Sequence, residues 1–228
     1  MRKRAVLIGV LAMLVVVGVA AAGGGFDSVK PSTYDPLHTY LVDSAWVAGI
    51  GCPTNSKVTY DGANVSRYTD PACQTAGPGD SKNMGLLLAK TGPTGNYAAG
   101  QVVLRNVPAT INELGYDIRK AGPDQNDSRG SHCSGGAPRF DLVDSTGATY
   151  FLACNSPAPT AISVGTGWLR LRWSPVMAYG PGGLTPVSSL TIKQIAIVMD
   201  EGQDNGGPDL SGLAVLDNID VNGVFVGK

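Results

Sequence analysis

Residues 139–154, RFDLVDSTGATYFLAC, place two short β-rich runs around Asp144-Ser145-Thr146-Gly147. That loop reads as a hairpin turn, because Asp, Ser and Gly close tight connections between strands. The rest of the chain repeats the pattern. Glycine is frequent, 31 of 228 residues, and no window beyond the first two dozen residues sustains a 3.6-residue apolar period. Short apolar runs between Gly, Pro, Asn and Asp clusters argue for strands over helices. The candidates are 85–90, 100–107, 111–120, 139–143, 149–154, 163–173, 190–199 and 213–226. Asp35-Pro36-Leu37 reads either as one short helix, with Asp35 as cap and Pro36 in the first turn, or as part of an N-terminal strand. About nine strands without a composition break predict one all-β domain, a β-sandwich.

The chain opens with Arg2-Lys3-Arg4, followed by an apolar run from Ala5 to Ala22 that ends in an alanine triplet. A basic flank, an apolar core and small residues at the exit predict a secretory signal peptide over 1–22 and a mature domain over 23–228. Cleavage removes three basic residues and no acid, so the formal net charge moves from −1 to −4. Such a surface lacks the basic face that nucleic acid requires. The four cysteines then predict structural disulfides. Cys52 and Cys73 stand 21 residues apart, as do Cys133 and Cys154, which makes two local loops the simplest pairing. Each loop of that length would contribute about 3 kcal/mol. Asn64 and Asn126 head formal glycosylation sequons.

Residues for catalysis are sparse. His38 and His132 are the two histidines, and no nucleophile elbow, zinc-binding helix motif or phosphate loop occurs. A glycosidase or lyase would need two facing carboxylates. Glu113, Asp117, Asp141, Asp200, Glu201, Asp204 and Asp209 are available, without a spacing that pairs any two. More specific is GWLRLRW, 167–173. Strand alternation puts Leu169, Leu171 and Trp173 in the core and Trp168, Arg170 and Arg172 on the other face. An indole beside two guanidiniums can stack on a sugar ring and bond its hydroxyls or acidic groups, or it can cover a sheet and pair with acids. Trp46, Tyr97 and Tyr150 are candidates to extend an aromatic platform.

The stretch 198–223, VMDEGQDNGGPDLSGLAVLDNIDVNG, crowds Asp200, Glu201, Asp204 and Asp209 into a Gly/Pro loop. Such acids are screened by water or gathered by a cation such as Ca²⁺, which accepts irregular oxygen ligands. Asp217 lies in an apolar run, where a carboxylate is costly unless paired or metal-bound. Alternation there puts Val215 and Asp217 on one face and Leu216 and Asn218 on the other. The ending AVLDNIDVNG, 214–223, resembles the last strand of carbohydrate-binding, galactose-binding-like jelly rolls, and the combination GAPRFDLV, GATYFLAC, GWLRLRW, IAIVMDEG and GLAVLDNIDVNG is similar to secreted bacterial proteins of that type. The resemblance implies a jelly-roll sandwich and a structural calcium ligated by Asp217, with Asp27 or Asp43 as possible N-terminal partners. The resulting expectation is a secreted or cell-surface, non-catalytic module. It would bind extracellular carbohydrate or envelope polymer through Trp168, Arg170 and Arg172, with Asp217 and Asp200 holding calcium and no membrane contact once the leader is removed. A self-assembling surface protein, or a carboxylate-dependent glycosidase or lyase, are the alternatives.

Overall fold

The computed structural model describes residues 26–48, 50–51, 54–60, 63–69, 84–90, 97–120, 137–154, 157–165, 168–200 and 212–227. The leader, Cys52, Cys73, Cys133, His132, Asn126 and the acids Glu201, Asp204 and Asp209 lie outside the described residues. The strands are β1 (Ser28–Tyr34), β2 (Val42–Ala48), β3 (Thr54–Tyr60), β4 (Ala63–Thr69), β5 (Met84–Lys90), β6 (Ala99–Arg105), β7 (Leu114–Lys120) and β8 (Arg139–Asp144). They continue with β9 (Thr149–Leu152), β10 (Thr160–Gly165), β11 (Trp168–Trp173), β12 (Met177–Gly180), β13 (Gly183–Pro186), β14 (Ile192–Met199), β15 (Gly212–Val221) and β16 (Val224–Val226).

Two antiparallel sheets carry the domain. Sheet I runs β1-β6-β14-β8-β9-β12-β13, and sheet II runs β10-β11-β7-β15-β5-β2, with β16 paired to β15. The chain changes sheet between β1 and β2, β5 and β6, β6 and β7, β7 and β8, β9 and β10, β11 and β12, and β14 and β15, so both sheets are built from strands distant in sequence. β3 and β4 pair only with each other. The all-β, two-sheet expectation therefore holds.

Sixteen strands among the described residues replace the nine or so expected, since β1–β4, β12 and β13 fall outside the candidate runs, and the expected elements themselves change in three places. The run 163–173 belongs to two strands, β10 and β11, and 213–226 breaks at Asn222-Gly223. Both turn residues have positive φ, 54° and 80°, the geometry a two-residue hairpin requires and Asn-Gly supplies. Asp35 caps a single turn instead of a helix. Its carboxylate accepts the Thr39 and Tyr40 amides at 2.9 and 2.7 Å. His38 and Tyr40 then take φ of 53° and 57°, which a right-handed helix does not permit.

The core fills the space between the sheets by alternation. Leu169, Leu171 and Trp173 of β11 point inward, as expected, beside Leu114, Tyr116 and Ile118 of β7. Tyr116, Phe140 and Trp173 form a ring cluster across the two sheets, with centroids 5.4 to 5.7 Å apart. Such pairs contribute about 0.5–1.5 kcal/mol beyond the area they bury. The polar tips find acceptors, the Tyr116 hydroxyl on the Pro138 carbonyl at 2.7 Å and the Trp173 indole on Pro157 at 2.9 Å. Where β2 of sheet II approaches β6 of sheet I, a side chain at Gly100 would meet the Asp43 carbonyl at 2.5 Å. Ser44 Oγ donates to the Gln101 carbonyl nearby at 2.8 Å, which joins the two sheets along that side.

Candidate functional site

The face of sheet II turned away from the core holds Arg170 and Arg172, and it is a polar cluster sealed into the sheet. Arg170 on β11 lies opposite Asp117 on β7, and Asp117 lies opposite Asp217 on β15. Two strand positions on β7, Asp117 to Gly115, then match three on β15, Asp217 to Asp220. The extra residue is a bulge at Asn218, whose φ is 45°. The bulge overturns the simple alternation. It brings Asp217 and Asp220 to the same face, with the Asn218 amide donating to Asp117 Oδ2 at 2.9 Å.

The guanidiniums close on these acids. Arg170 donates through Nε and Nη2 to the two oxygens of Asp117, both at 2.8 Å. Arg172 Nη2 stands 3.5 Å from Asp117, and its Nε stands 3.0 Å from Asp220 Oδ2. That reach crosses Gly115, where a Cβ would meet Arg172 Nη1 at 2.6 Å and the Leu171 carbonyl at 2.5 Å. Phe225 on β16, opposite Asp220, lies beneath both cations, 5.1 Å from Arg172 and 5.7 Å from Arg170. Burial pushes the Asp117 carboxyl up against the pull of Arg172 and Arg170. Asp220 is pushed up to about 7, by burial first and by the hydrogen bond and charge of Glu113 next, with Arg172 opposing.

Asp117 and Asp220 are fully buried and ion-paired, so neither faces a substrate. Trp168 corrects the expectation of an open aromatic stripe. It lies outside the main core cluster, yet it is 1% exposed, so its indole presents no ring to solvent. Of the other aromatic candidates, Tyr150 is buried with its hydroxyl on Asp144 at 3.2 Å, Trp46 packs against the core, and Tyr97 is exposed.

Asp217 and Asp200 do not converge. Asp217 is buried on β15 in sheet II and accepts the Asn218 amide at 2.8 Å, whereas Asp200 follows β14 of sheet I. Both Asp200 oxygens are held by Arg139, at 2.6 and 2.7 Å. Asp27 accepts Ser28 and Asn106, and Asp43 accepts the Ser44 amide. Among the described residues no group of three or more His, Cys, Asp or Glu side chains could hold a metal.

Exposed rings occur on both sheets: Phe225 on β16 is 41% exposed, while the outward face of sheet I carries two that are neighbours across strands. Asp141 on β8 pairs with Phe151 on β9, Phe151 with Tyr179 on β12, and Tyr179 with Leu184 on β13. Phe151, Tyr179 and Leu184 are 43%, 45% and 47% exposed, one beside the next across three strands. Alternation dictates this. Tyr150 and Leu152 fill the core side of β9 and Ala178 that of β12, which leaves Phe151 and Tyr179 outside. The Arg139 guanidinium lies 5.9 Å from the Phe151 ring centre and bridges two acids, Asp200 as above and Asp141 through Nε at 3.0 Å. Burial pushes Asp141 up to about 6, and Arg139 opposes the shift. Sequence reading passed over Phe151 and Tyr179. The period-2 pattern of TYFL contains the signal, since Leu152 in the core forces Phe151 outward.

The chain matches no family model and no curated protein. It is similar to solved structures of two family 11 carbohydrate-binding modules from Clostridium thermocellum. The first, in complex with a β-1,3-1,4-mixed-linked tetrasaccharide, has a TM-score of 0.35 and 15% identity over 87% of this chain and 98% of that one. The second, from the cellulosomal cellulase Lic26A-Cel5E, has a TM-score of 0.34 and 14% identity over 88% of this chain and 97% of that one. An exo-β-agarase is similar at a TM-score of 0.37 and 11% identity, over 81% of this chain and 24% of the enzyme.

Proposed function

We propose that this chain is a non-catalytic module that binds extracellular carbohydrate or envelope polymer on the outward face of sheet I. One observation carries the reading: Phe151 and Tyr179 are cross-strand neighbours, both substantially exposed, beside the Arg139–Asp141–Asp200 group. A sugar ring presents C–H groups to aromatic faces and hydroxyls to charged acceptors, and each need is met there. The ion-paired acids of sheet II belong to the structure, and Arg170 and Arg172 act with them. Pull-down on a panel of insoluble polysaccharides tests the reading. Retention of the wild-type chain, lost in Phe151→Ala/Tyr179→Ala, is expected; equal retention of both would overturn it.

The reading includes export by the 1–22 leader and a 23–228 domain of jelly-roll type at the cell surface. Cys52–Cys73 and Cys133–Cys154 are its disulfides; Cys154 is buried just beyond β9. Mass measurement of peptides digested without reductant checks the pairing. The structural calcium, with Asp217 and Asp200 as its expected ligands, is part of the same reading. A rise of several degrees in Tm with millimolar Ca²⁺ over EDTA is expected, because a ligand of the native state stabilises it; an unchanged Tm would remove calcium from the account. Self-association is the second reading. Leu184, exposed on the edge strand β13, favours it, and light scattering decides it.

A further inference from the structure

We infer that the polymer bound on sheet I is a neutral glycan, and that uronate- and sulfate-bearing polymers are excluded. The inference rests on the carbohydrate reading above and concerns the ligand's charge. Recognition of a carboxylate or sulfate ester depends on a guanidinium fork or an accessible ammonium. At this platform the fork is already occupied. Arg139 places Nη1 and Nη2 on the two oxygens of Asp200, at 2.6 and 2.7 Å, and Nε on Asp141 at 3.0 Å. Its guanidinium carbon stands 5.9 Å from the Phe151 ring centre. Lys90 is also close to Asp200, but it is 1% exposed and its ammonium donates to the Asp200 main-chain carbonyl at 2.9 Å. Its charge is not presented to a ligand.

Two carboxylates thus share one guanidinium beside the rings. Asp200 keeps 18% of its side chain exposed beside the rings, and Asp141 keeps 11%. Acceptors in excess of donors suit hydroxyl groups and repel an anionic ligand. Phe151, Tyr179 and Leu184 add an apolar strip along the same row, which suits the C–H face of an unsubstituted hexose and not a sulfated one.

Affinity electrophoresis tests this, with the mature protein run through gels containing dextran, mixed-linkage β-glucan, galactan or mannan, and through gels containing polygalacturonate, alginate or a sulfated galactan. Retardation by one or more neutral polymers, none by the acidic ones, and loss in Phe151→Ala/Tyr179→Ala is the expected result. Asp200→Asn releases the Arg139 fork, so this variant should gain retardation by polygalacturonate that the wild-type chain lacks. Retardation of the wild-type chain by acidic polymers, dependent on Phe151, would overturn the charge inference and leave the carbohydrate reading standing. No retardation by any polymer would overturn both. A folded Asp200→Asn variant, checked by circular dichroism, that gains nothing for polygalacturonate would overturn the role given to Arg139.

Discussion

Replacing Gly115 with alanine should destabilise the domain through a single added methyl. Gly115 is the low point over which Arg172 crosses β7 to reach Asp220 on β15. A Cβ there meets Arg172 along its stem, with Nη1 at 2.6 Å and the Leu171 carbonyl at 2.5 Å. The arginine end can move, but the carbonyl belongs to β11, paired with β7 on either side of this position. Overpacking of that kind costs about 1–3 kcal/mol. Moving Arg172 also removes a partner from two buried acids. Breaking a buried pair costs about 3–5 kcal/mol when the abandoned group stays charged. Asp220, pushed up to about 7, is partly protonated at neutral pH and feels less of that loss. A total of about 2–4 kcal/mol follows, or a fall in Tm of roughly 5–15 °C for a domain of this size. Thermal unfolding followed by circular dichroism measures it. In an Arg172→Ala background the same glycine substitution should cost clearly less, since only the Leu171 contact remains. A Tm within a degree of wild type for Gly115→Ala would refute the claim that Arg172 needs this glycine.

The raised acids predict a pH dependence. Asp220 and Asp141 are pushed up to about 7 and about 6, so the folded chain keeps protons there that the unfolded chain releases above about pH 4. Stability is lost as pH rises from about 4 to 7, and Tm should fall across that window. Asp35 and Asp144 are held below the usual range by the Thr39 amide and the Thr146 hydroxyl respectively, and they reverse the slope at lower pH. Asp220→Asn, which mimics the protonated acid, should flatten the fall between about pH 4 and 7; an unchanged slope would count against the buried Asp220 as its source. At the bulge, Asn218→Gly keeps the positive φ and loses the bond to Asp117, for about 1–2 kcal/mol by urea titration. Asn218→Val adds backbone strain and should cost more than Asn218→Gly; the reverse order would show that the bulge does not need a left-handed residue.

The parts of the fold legible in the sequence were those decided locally. The Asp144–Gly147 turn formed as read, with Asp144 Oδ1 accepting the Thr146 and Ala148 amides at 2.8 and 3.0 Å. The inward set Leu169, Leu171 and Trp173 also followed from alternation alone. β14 is apolar on both faces for a physical reason, since Ala196 and Val198 join Ala99 and Tyr34 in a second small cluster outside the main core. Features set by pairing between distant strands were not legible. The bulge at Asn218 exists only against β7, about a hundred residues away in the chain, so local alternation put Asn218 on the wrong face. GWLRLRW showed which residues share a face with Trp168, but not that this face is covered there. Arg170 and Arg172 lie on the expected face, and their acid partners come from β7 and β15, which spacing alone could not pair. Phe151 was hidden by its neighbours, because an apolar run with a cysteine at its end reads as uniformly buried until Leu152 is given a direction.

The central claim is that sheet I, through Phe151 and Tyr179, is the binding face. Isothermal titration of the soluble polymer that the wild-type chain retains tests it most directly, with Phe151→Ala/Tyr179→Ala and Trp168→Phe alongside. Two rings worth about 0.5–1.5 kcal/mol each predict a loss of affinity of about fivefold or more for the double variant. Trp168→Phe, altering a buried residue on the other sheet, should stay within twofold of wild type. Full affinity in the double variant, with loss in Trp168→Phe, would contradict the account and move the binding face to sheet II.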